Sequence, residues 1–240
     1  MNAAGMKNFF RVAISLGVLA GLVLLERKHP LRRERESKLR RNSRNLTVAA
    51  LGALTVQLLE APVVQPLARS AKKRKLGLLK QLNLPRPLEI IAAVVLMDYT
   101  LYLWHILTHR VPFLWRFHAV HHVDLDLDAS TALRFHFGEL AVSVPYRAAQ
   151  IVLLGVDAEA LSYCQIFLSL SILFHHSNVR LPRRLESALS WFLGLRACTA
   201  FITPMSRRKP IPTGPAAWRA GTVFITRSGS MCCRNKSRLA

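Results

Sequence analysis

Acidic residues are scarce in this chain, which holds 13 Asp and Glu against 34 Lys and Arg in 240 residues, for a formal net charge of +21. Half of the sequence (51%) is nonetheless apolar, and the mean hydropathy is +0.23. A disordered basic tail has too few apolar residues to match this composition, and a soluble enzyme does not combine such charge with such hydropathy. The composition favours a membrane protein with basic loops, and nucleic-acid binding is the competing interpretation.

The cations lie in loops between apolar runs. The first run, residues 9–25, is followed by nine Lys or Arg within residues 26–45. This pattern is typical of a signal anchor, and no small-residue cleavage site follows it, so we expect a retained helix and a basic loop over residues 1–45. Because the cations are divided among membrane-flanking loops, we expect no nucleic-acid partner.

Four further apolar runs follow, at residues 46–68, 88–107, 140–154 and 160–174. Crossing a bilayer takes about 20 residues, so the last two runs are marginal spans. We predict an all-α, multi-span membrane helical bundle with four or five membrane segments. The run at 46–68 contains Glu60, Pro62 and Pro66 and is either kinked or re-entrant. If it crosses fully, the basic cluster that follows it (residues 69–86) falls on the opposite face from the first one, against the positive-inside rule.

Histidines gather at the ends of the later apolar runs. His105 and His109 form an HxxxH motif, and His118, His121 and His122 form an HxxHH motif nine residues later. In a helix, each set lies on one face. Imidazole suits Fe, Zn, Cu and Ni, and five rings within 18 residues exceed what one ion needs, so we expect two metal ions.

Three more histidines complete the predicted cluster. The runs at 140–154 and 160–174 form an out-and-back hairpin, which returns His175 and His176 to the face that carries the two motifs and His136. We therefore predict a histidine-rich catalytic end at the membrane interface, on the cytoplasmic face, with all eight histidines as metal ligands. A lone histidine in such a place is more often packed than ligating, so the prediction depends on the cluster.

The residues 96–140, LMDYTLYLWHILTHRVPFLWRFHAVHHVDLDLDASTALRFHFGEL, carry these motifs together with LFHHSNVRLP at 173–182. They resemble the sterol desaturase and fatty acid hydroxylase superfamily of integral-membrane, non-haem di-iron oxygenases, over roughly residues 40–193. The resemblance implies two iron ions, O2-dependent hydroxylation or desaturation of a sterol or fatty-acyl lipid, and a separate electron-donor protein. The sequence itself carries no haem, flavin or iron–sulfur motif.

Two carboxylates accompany the histidines. Asp98 lies seven residues before His105 on the same helix face and matches the acidic residue of the family, while Glu139 lies three residues after His136. We predict that both belong to the catalytic set, as acceptors that orient ligand imidazoles. The alternative for each is an ordinary helix-end or interfacial carboxylate.

The chain departs from the family after the membrane domain, which we assign to residues 46–193. Relatives carry a third HxxHH box and later a WDRLFGT-like motif, whereas no histidine follows His176 here. Residues 194–240 contain nine Lys or Arg, no Asp or Glu, and three of the four cysteines. Neither a helical nor a strand period is visible in them, so they read as translation in a wrong frame.

A displaced reading frame can be tested on the residues themselves. In a frame displaced by one base, the first base of each new codon is the last base of one residue's codon. The other two bases are the first two of the next residue's codon. Read in this way, residues 195–204 permit TPRMHGIHHS, which contains an HxxHH box. Its histidines require Thr199, Ile202 and Thr203, and all three are present. We expect that a single-base deletion near Gly194 replaced the native C-terminus with a disordered tail, and natural divergence is the alternative.

Two other classes of function compete with an active oxygenase. A histidine-rich metal transporter would place its site near the bilayer midplane on broken or repeated helices, whereas these histidines lie at helix ends. A degenerate family member with a structural or metal-binding role fits the missing box equally well. Because up to three ligands are lost, we expect weak iron binding, or one ion only, and little activity.

Overall fold

The computed structural model describes residues 3–33, 35–124, 126–182, 184–185 and 188–189. In this part of the chain the elements are α1 (Ala3–Lys28), α2 (Lys38–Thr55), a π-helical turn (Val56–Glu60), α3 (Ala61–Arg74), α4 (Leu78–Gln81), α5 (Arg86–Arg110), α6 (Pro112–His122), a 3-10 turn (Thr131–Leu133), α7 (Phe137–Leu154) and α8 (Ala158–His176). Extended pairing in this part is limited to an isolated bridge between Pro30 and Val179. The predicted all-α fold is confirmed. The tail that we expect to be frameshifted and disordered, residues 194–240, lies outside the described residues.

The apolar run at 46–68 lies in a continuous helical stretch formed by α2, the π-helical turn and α3. Pro62 lies in the first turn of α3 and Pro66 inside it, and a proline cannot donate to the carbonyl four residues earlier. The π-helical turn widens the helix immediately before these prolines. The chain does not turn back, because Gly52 of α2 lies beside Leu140 near the start of α7, whereas Gly77, just before α4, lies beside Gly155 at the end of α7. The re-entrant alternative is therefore wrong, and the two basic clusters lie at opposite ends of the bundle.

Three helical stretches among the described residues are long and apolar enough to cross a membrane, namely Lys38–Gln81, Arg86–Arg110 and Ala158–His176. The sequence predicts four or five segments. The helix α7 is not among the three, and it carries Glu139, Arg147 and Gln150 within its 18 residues. The number of segments beyond three stays a prediction.

The hairpin expected from the last two apolar runs is present as α7 and α8. The two helices are joined by residues 155–157, α5 packs on α8, and α3 packs on α7. Small residues at the crossings, such as Ala68, Ala93 and Ala160, let the helices approach closely. The buried core they form consists of Val64, Ala68, Leu79, Ala93, Met97, Ile151, Val156, Ala160, Leu161 and Cys164.

The end of the bundle formed by residues 74–89 and 154–159, here called the distal end, is closed by a glycine contact and ion pairs. Gly77 (φ +87°) and Gly155 (φ +77°) pass so closely that a Cβ on Gly77 would lie 2.2 Å from the Gly155 nitrogen. Beside them, Asp157 is fully buried and accepts hydrogen bonds from Lys80 and Arg86. These contacts fix the α7–α8 turn against α4 and α5. They leave the opposite end, here called the histidine end, to carry the predicted site.

Candidate metal centre

Four elements bring the predicted histidines to one end of the bundle. His105 and His109 lie in the last turns of α5. Helix α6, which carries the HxxHH motif, begins after a single residue, Val111, and folds back beside α5. His136 is the N-cap of α7, and His176 ends α8. The sequence prediction that the boxes converge is therefore confirmed in position, whereas metal ligation by these residues stays a prediction.

Four of the imidazoles form one compact group, the four-histidine cluster, which consists of His105, His109, His118 and His122. One ring nitrogen from each lies within 4.8 Å of all the others. The Nε2 atoms of His105 and His109 are 3.2 Å apart, and those of His118 and His122 are 3.0 Å apart. Both pairs have i, i+4 spacing, so the helices themselves set these distances.

The chemistry of this donor set fits a transition metal. Two imidazole nitrogens bound at about 2.1 Å to one ion come to lie about 3 Å apart, as these pairs do. Burial lowers the pKa of His122 to about 3, with repulsion from His118 as the next cause. A neutral imidazole is the form that binds a metal. The four-histidine cluster is therefore poised to ligate at neutral pH.

A second group is the pair His121 and His176, whose Nε2 atoms lie 2.9 Å apart. The Nδ1 atom of His121 donates to the Arg134 carbonyl (3.2 Å), and that of His176 donates to the Ile172 carbonyl (2.8 Å). Carbonyls only accept, so each ring carries its proton on Nδ1 and turns an Nε2 lone pair towards the other ring. Two such lone pairs repel unless a cation lies between them, and this arrangement fits a metal or a shared proton. Burial, followed by repulsion from His176, lowers the pKa of His121 well below its usual value.

Glu139 lies against the four-histidine cluster. Its Oε1 accepts from the Nδ1 atom of His118 at 3.0 Å, which leaves Nε2 of that ring for the cluster. The other oxygen, Oε2, is buried without a hydrogen-bond partner in the described part of the chain. The contact is of the kind that fixes a metal-binding tautomer.

The other predicted residues are placed differently. Asp98 lies about two turns before His105 in α5, and in the described residues its carboxylate makes no hydrogen bond to an imidazole. The His136 ring stacks on Phe117 with a centroid distance of 5.4 Å, and its Nδ1 accepts from the Gly138 amide. His136 therefore acts as a helix cap here. His175 lies in the last turn of α8, beside Phe174. The roles predicted for these three residues stay predictions.

Sequence reasoning missed Asn178, although it belongs to the HHxN motif. Its side chain pairs with the backbone of Arg32, accepting from the amide (2.9 Å) and donating to the carbonyl (3.1 Å). Its own amide donates to the buried carboxylate of Glu26, which also accepts from Ala129. The end of α1 is thus tied to the end of α8. The residue spacing of the sequence held no sign of this partner.

Sequence reasoning also missed the polar contacts that α2 makes with the segment joining α6 to α7. Arg41 is fully buried, donating to the Asp126 carbonyl and to Asp128, and its guanidinium lies 3.7 Å from Asp124. The alternating acidic residues of this segment read as a polar loop, so the sequence offered no reason to pair them with α2.

Comparison with known proteins finds similarity in the part of the chain that carries these motifs. Residues 90–201 match the fatty acid hydroxylase family. An ornithine lipid hydroxylase from Rhizobium tropici is 28% identical over 95 residues, which cover 40% of this chain and 29% of that protein. The chain thus spans less than a third of that relative's length, and no solved structure matches it significantly. The match over residues 90–201 fits the sterol desaturase and fatty acid hydroxylase superfamily that the histidine motifs resemble.

Proposed function

We propose that the chain encodes a membrane-bound, non-haem di-iron oxygenase that uses O2 to hydroxylate a lipid of sterol or fatty-acyl type. The observation that carries the proposal is the four-histidine cluster, with one nitrogen of each ring within 4.8 Å of the rest. The family match and the lipid hydroxylase relative favour hydroxylation over desaturation, which remains the alternative reaction.

The two groups of histidines would hold two ions. The four-histidine cluster would supply the ligands of one, and His121 with His176 would supply part of the second. Iron bound there supplies the activation of O2 for attack on a C–H bond, with electrons from a separate donor protein. His136 and His175 are further candidate ligands of the second position.

The protein's own residues orient the ligands and admit the substrate. Glu139 holds the His118 proton on Nδ1, so that Nε2 faces the cluster. Trp115 covers the cluster from α6, with ring centroids 5.2 Å from His109 and 5.7 Å from His122. Exposed apolar side chains of α5, such as Leu103 and Leu107, continue from the cluster along the helix. A lipid chain in the bilayer would reach the metal centre along this apolar face, on the cytoplasmic side.

The second ion position is incomplete in this chain. His121 and His176 are two ligands, whereas catalytic metal sites in proteins use three or more. The HxxHH box that the displaced frame encodes would supply the rest. The 240-residue chain should therefore bind about one iron and oxidise lipid poorly.

An inactive family member with a structural or metal-binding role is the second candidate. The observation that favours it is this same two-ligand position, in a chain in which no histidine follows His176. The two candidates differ in what frame restoration does. Restoration turns an impaired oxygenase into an active one, whereas it leaves a degenerate protein inactive.

The decisive experiment compares the 240-residue protein with one whose frame is restored by one base near codon 194. Both are purified in detergent and measured for iron per protein and for O2-dependent oxidation of lipid supplied with an electron donor. We expect about two irons and activity in the restored form, and about one iron and little activity in the other. Stoichiometric di-iron in the 240-residue protein would refute the incomplete second position.

The gene is resequenced in parallel around codon 194. An insertion or deletion within reach of that codon supports the frameshift. An intact frame there contradicts it and favours a naturally divergent tail. A restored form that binds two irons but oxidises no lipid with any donor favours the inactive family member.

A further inference from the structure

Asn45 of α2 connects both ends of the segment that joins α6 to α7. This side chain is fully buried, with 0% exposure. Its amide nitrogen donates to Asp124 Oδ2 (3.0 Å) and to Ser130 Oγ (2.9 Å), and its oxygen accepts from Arg134 Nη1 (3.1 Å). One side chain thus holds the first and last parts of an eleven-residue stretch, 124–134. A buried amide with this many partners is costly to disturb.

Arg134 passes this constraint to the candidate metal centre. Its guanidinium is held by Asn45, while its backbone carbonyl accepts the Nδ1 proton of His121 at 3.2 Å. The next residue, Phe135, stacks on the His121 ring with centroids 4.7 Å apart and planes 13° apart. The carbonyl and the phenyl ring together set both the tautomer and the plane of this imidazole.

The hydrogen bonds of Arg41 hold the middle of the segment, although its guanidinium also lies 3.7 Å from Asp124. Arg41 donates to the Asp126 carbonyl and to Asp128, and neither of these residues contacts His121. Among the described residues of α2, Asn45 is the side chain that bonds to Arg134. Asn45 thus supplies the direct hydrogen bond from α2 to Arg134, whereas Arg41 reaches Arg134 only through longer ion pairs with Asp124, of 3.7 and 3.9 Å.

We propose that Asn45 is a positioning residue for the metal centre: by holding Arg134, it keeps the His121 proton on Nδ1 and directs Nε2 towards His176. The inference rests on the proposed metal role of His121. Partners of this indirect kind change metal affinity by about 10–100-fold when they are removed from known sites.

The test is nitrogen NMR of the metal-free 240-residue protein, labelled with 15N-histidine in detergent micelles. The His121 signals are identified by their loss in His121→Gln. In the unaltered protein they should show a single Nδ1–H tautomer, and Asn45→Ala should give a mixture of both tautomers. Thr47→Ala is the matched control, since Thr47 lies one half-turn along α2, is exposed, and bonds to the Ser43 carbonyl of its own helix.

A second variant keeps the test decisive if Asn45→Ala does not fold. Arg134→Met retains the backbone carbonyl and an apolar stem but cannot bond to Asn45, so it should give the same tautomer mixture. An unchanged His121 signal in either folded variant overturns the inference.

Titration with Co²⁺, followed by its visible absorption, separates this inference from the proposed function. In the unaltered protein the two-ligand His121–His176 position should bind Co²⁺ more weakly than the four-histidine cluster, and in the two variants about tenfold more weakly still, with the cluster unchanged. If the tautomer changes while all Co²⁺ affinities stay the same, the positioning role of Asn45 stands and the metal role of His121 fails.

Discussion

The two ends of the bundle place their charged and polar groups in opposite ways. At the distal end, Asp157 is buried beside Lys80 and Arg86, so each buried charge has a partner. At the histidine end, neutral imidazoles face one another, and the Nε2 lone pairs of His121 and His176 point at the same space. One end has its charges paired within the protein, whereas the other presents facing ring nitrogens that would fit a cation.

This difference separates stability from function along the same helices. The helices α5, α7 and α8 each run from one end of the bundle to the other, so substitutions at the two ends affect the same three helices. Changes at the distal end should lower the free energy of unfolding and spare metal binding. Changes at the histidine end should mainly weaken metal binding, because the rings there contact one another and do not neutralise a buried cation.

The largest effect should come from Asp157→Asn at the distal end. The amide keeps the N-cap hydrogen bonds to α8 but removes one counter-charge from Lys80 and Arg86, which retain Glu89. Breaking a buried ion pair from one side costs about 3–5 kcal/mol, and the remaining partner keeps the loss below that range. Thermal unfolding in detergent should show this loss, with Co²⁺ binding by the folded fraction unchanged.

The pH dependence of the same variant provides its control. Burial raises the pKa of Asp157, but hydrogen bonds from Arg86, Ala160 and Lys80 outweigh burial and hold that pKa well below its usual range. The stabilisation is therefore complete above about pH 4 and is lost as the pH falls through the folded-state pKa. The stability difference between Asp157→Asn and the unaltered chain should therefore shrink in acid. A second control is Glu159→Gln, at a more exposed partner of Arg86, which should change stability by less than about 1 kcal/mol. A difference that does not vary with pH would show that the charge of Asp157 is not the cause.

At the histidine end, His118→Ala should remove most metal binding by the four-histidine cluster. His118 is 1% exposed and contributes one of the four facing nitrogens, so Co²⁺ affinity should fall by about 100-fold or more. Unfolding should change far less than in Asp157→Asn. The matched control is His29→Ala, because His29 is exposed and lies outside the cluster. Equal Co²⁺ affinity in the two variants would mean that the cluster is a packing feature.

The sequence predicted the contacts that depend on regular spacing. The i, i+4 pairs of α5 and α6 follow from helix geometry. The α7–α8 hairpin follows from two short apolar runs that lie close together in the sequence. The position of Glu139 near a ligand candidate was predicted as well, although the choice of His118 was not. The division of the histidines into four and two depends on the meeting of His121, near the end of α6, with His176, at the end of α8, which no periodicity encodes.

The missed contacts join residues far apart in the chain. Asn45 and Arg134 are 89 residues apart, and Lys80 and Asp157 are 77 apart. A polar residue in an amphipathic helix such as α2 reads equally well as solvated or buried, and its partner is fixed only when the helices pack. His136 caps α7 through its Nδ1 atom, a role that no spacing indicated, and its predicted role as a metal ligand stays a prediction.

The smallest of the expected effects tests how far the histidine end depends on a proton held in place. In Glu139→Gln, the side chain keeps its size, but its amide replaces a charged acceptor of the His118 proton with a neutral one. The imidazole then holds its Nδ1–H tautomer less firmly and is a weaker base at Nε2. We expect about tenfold weaker Co²⁺ binding by the four-histidine cluster and little change in unfolding temperature.

Glu159→Gln is the matched control for this change, since it neutralises a carboxylate on α8 at the distal end and should leave Co²⁺ affinity as it is. If Glu139→Gln instead bound Co²⁺ as the unaltered chain does, Glu139 would be a buried helix-end carboxylate in the first turn of α7. If Glu139→Gln lowered stability as much as Asp157→Asn, the histidine end would depend on buried charge for its fold just as the distal end does. The separation of stability from metal binding along these helices would then fail, because one carboxylate would serve both.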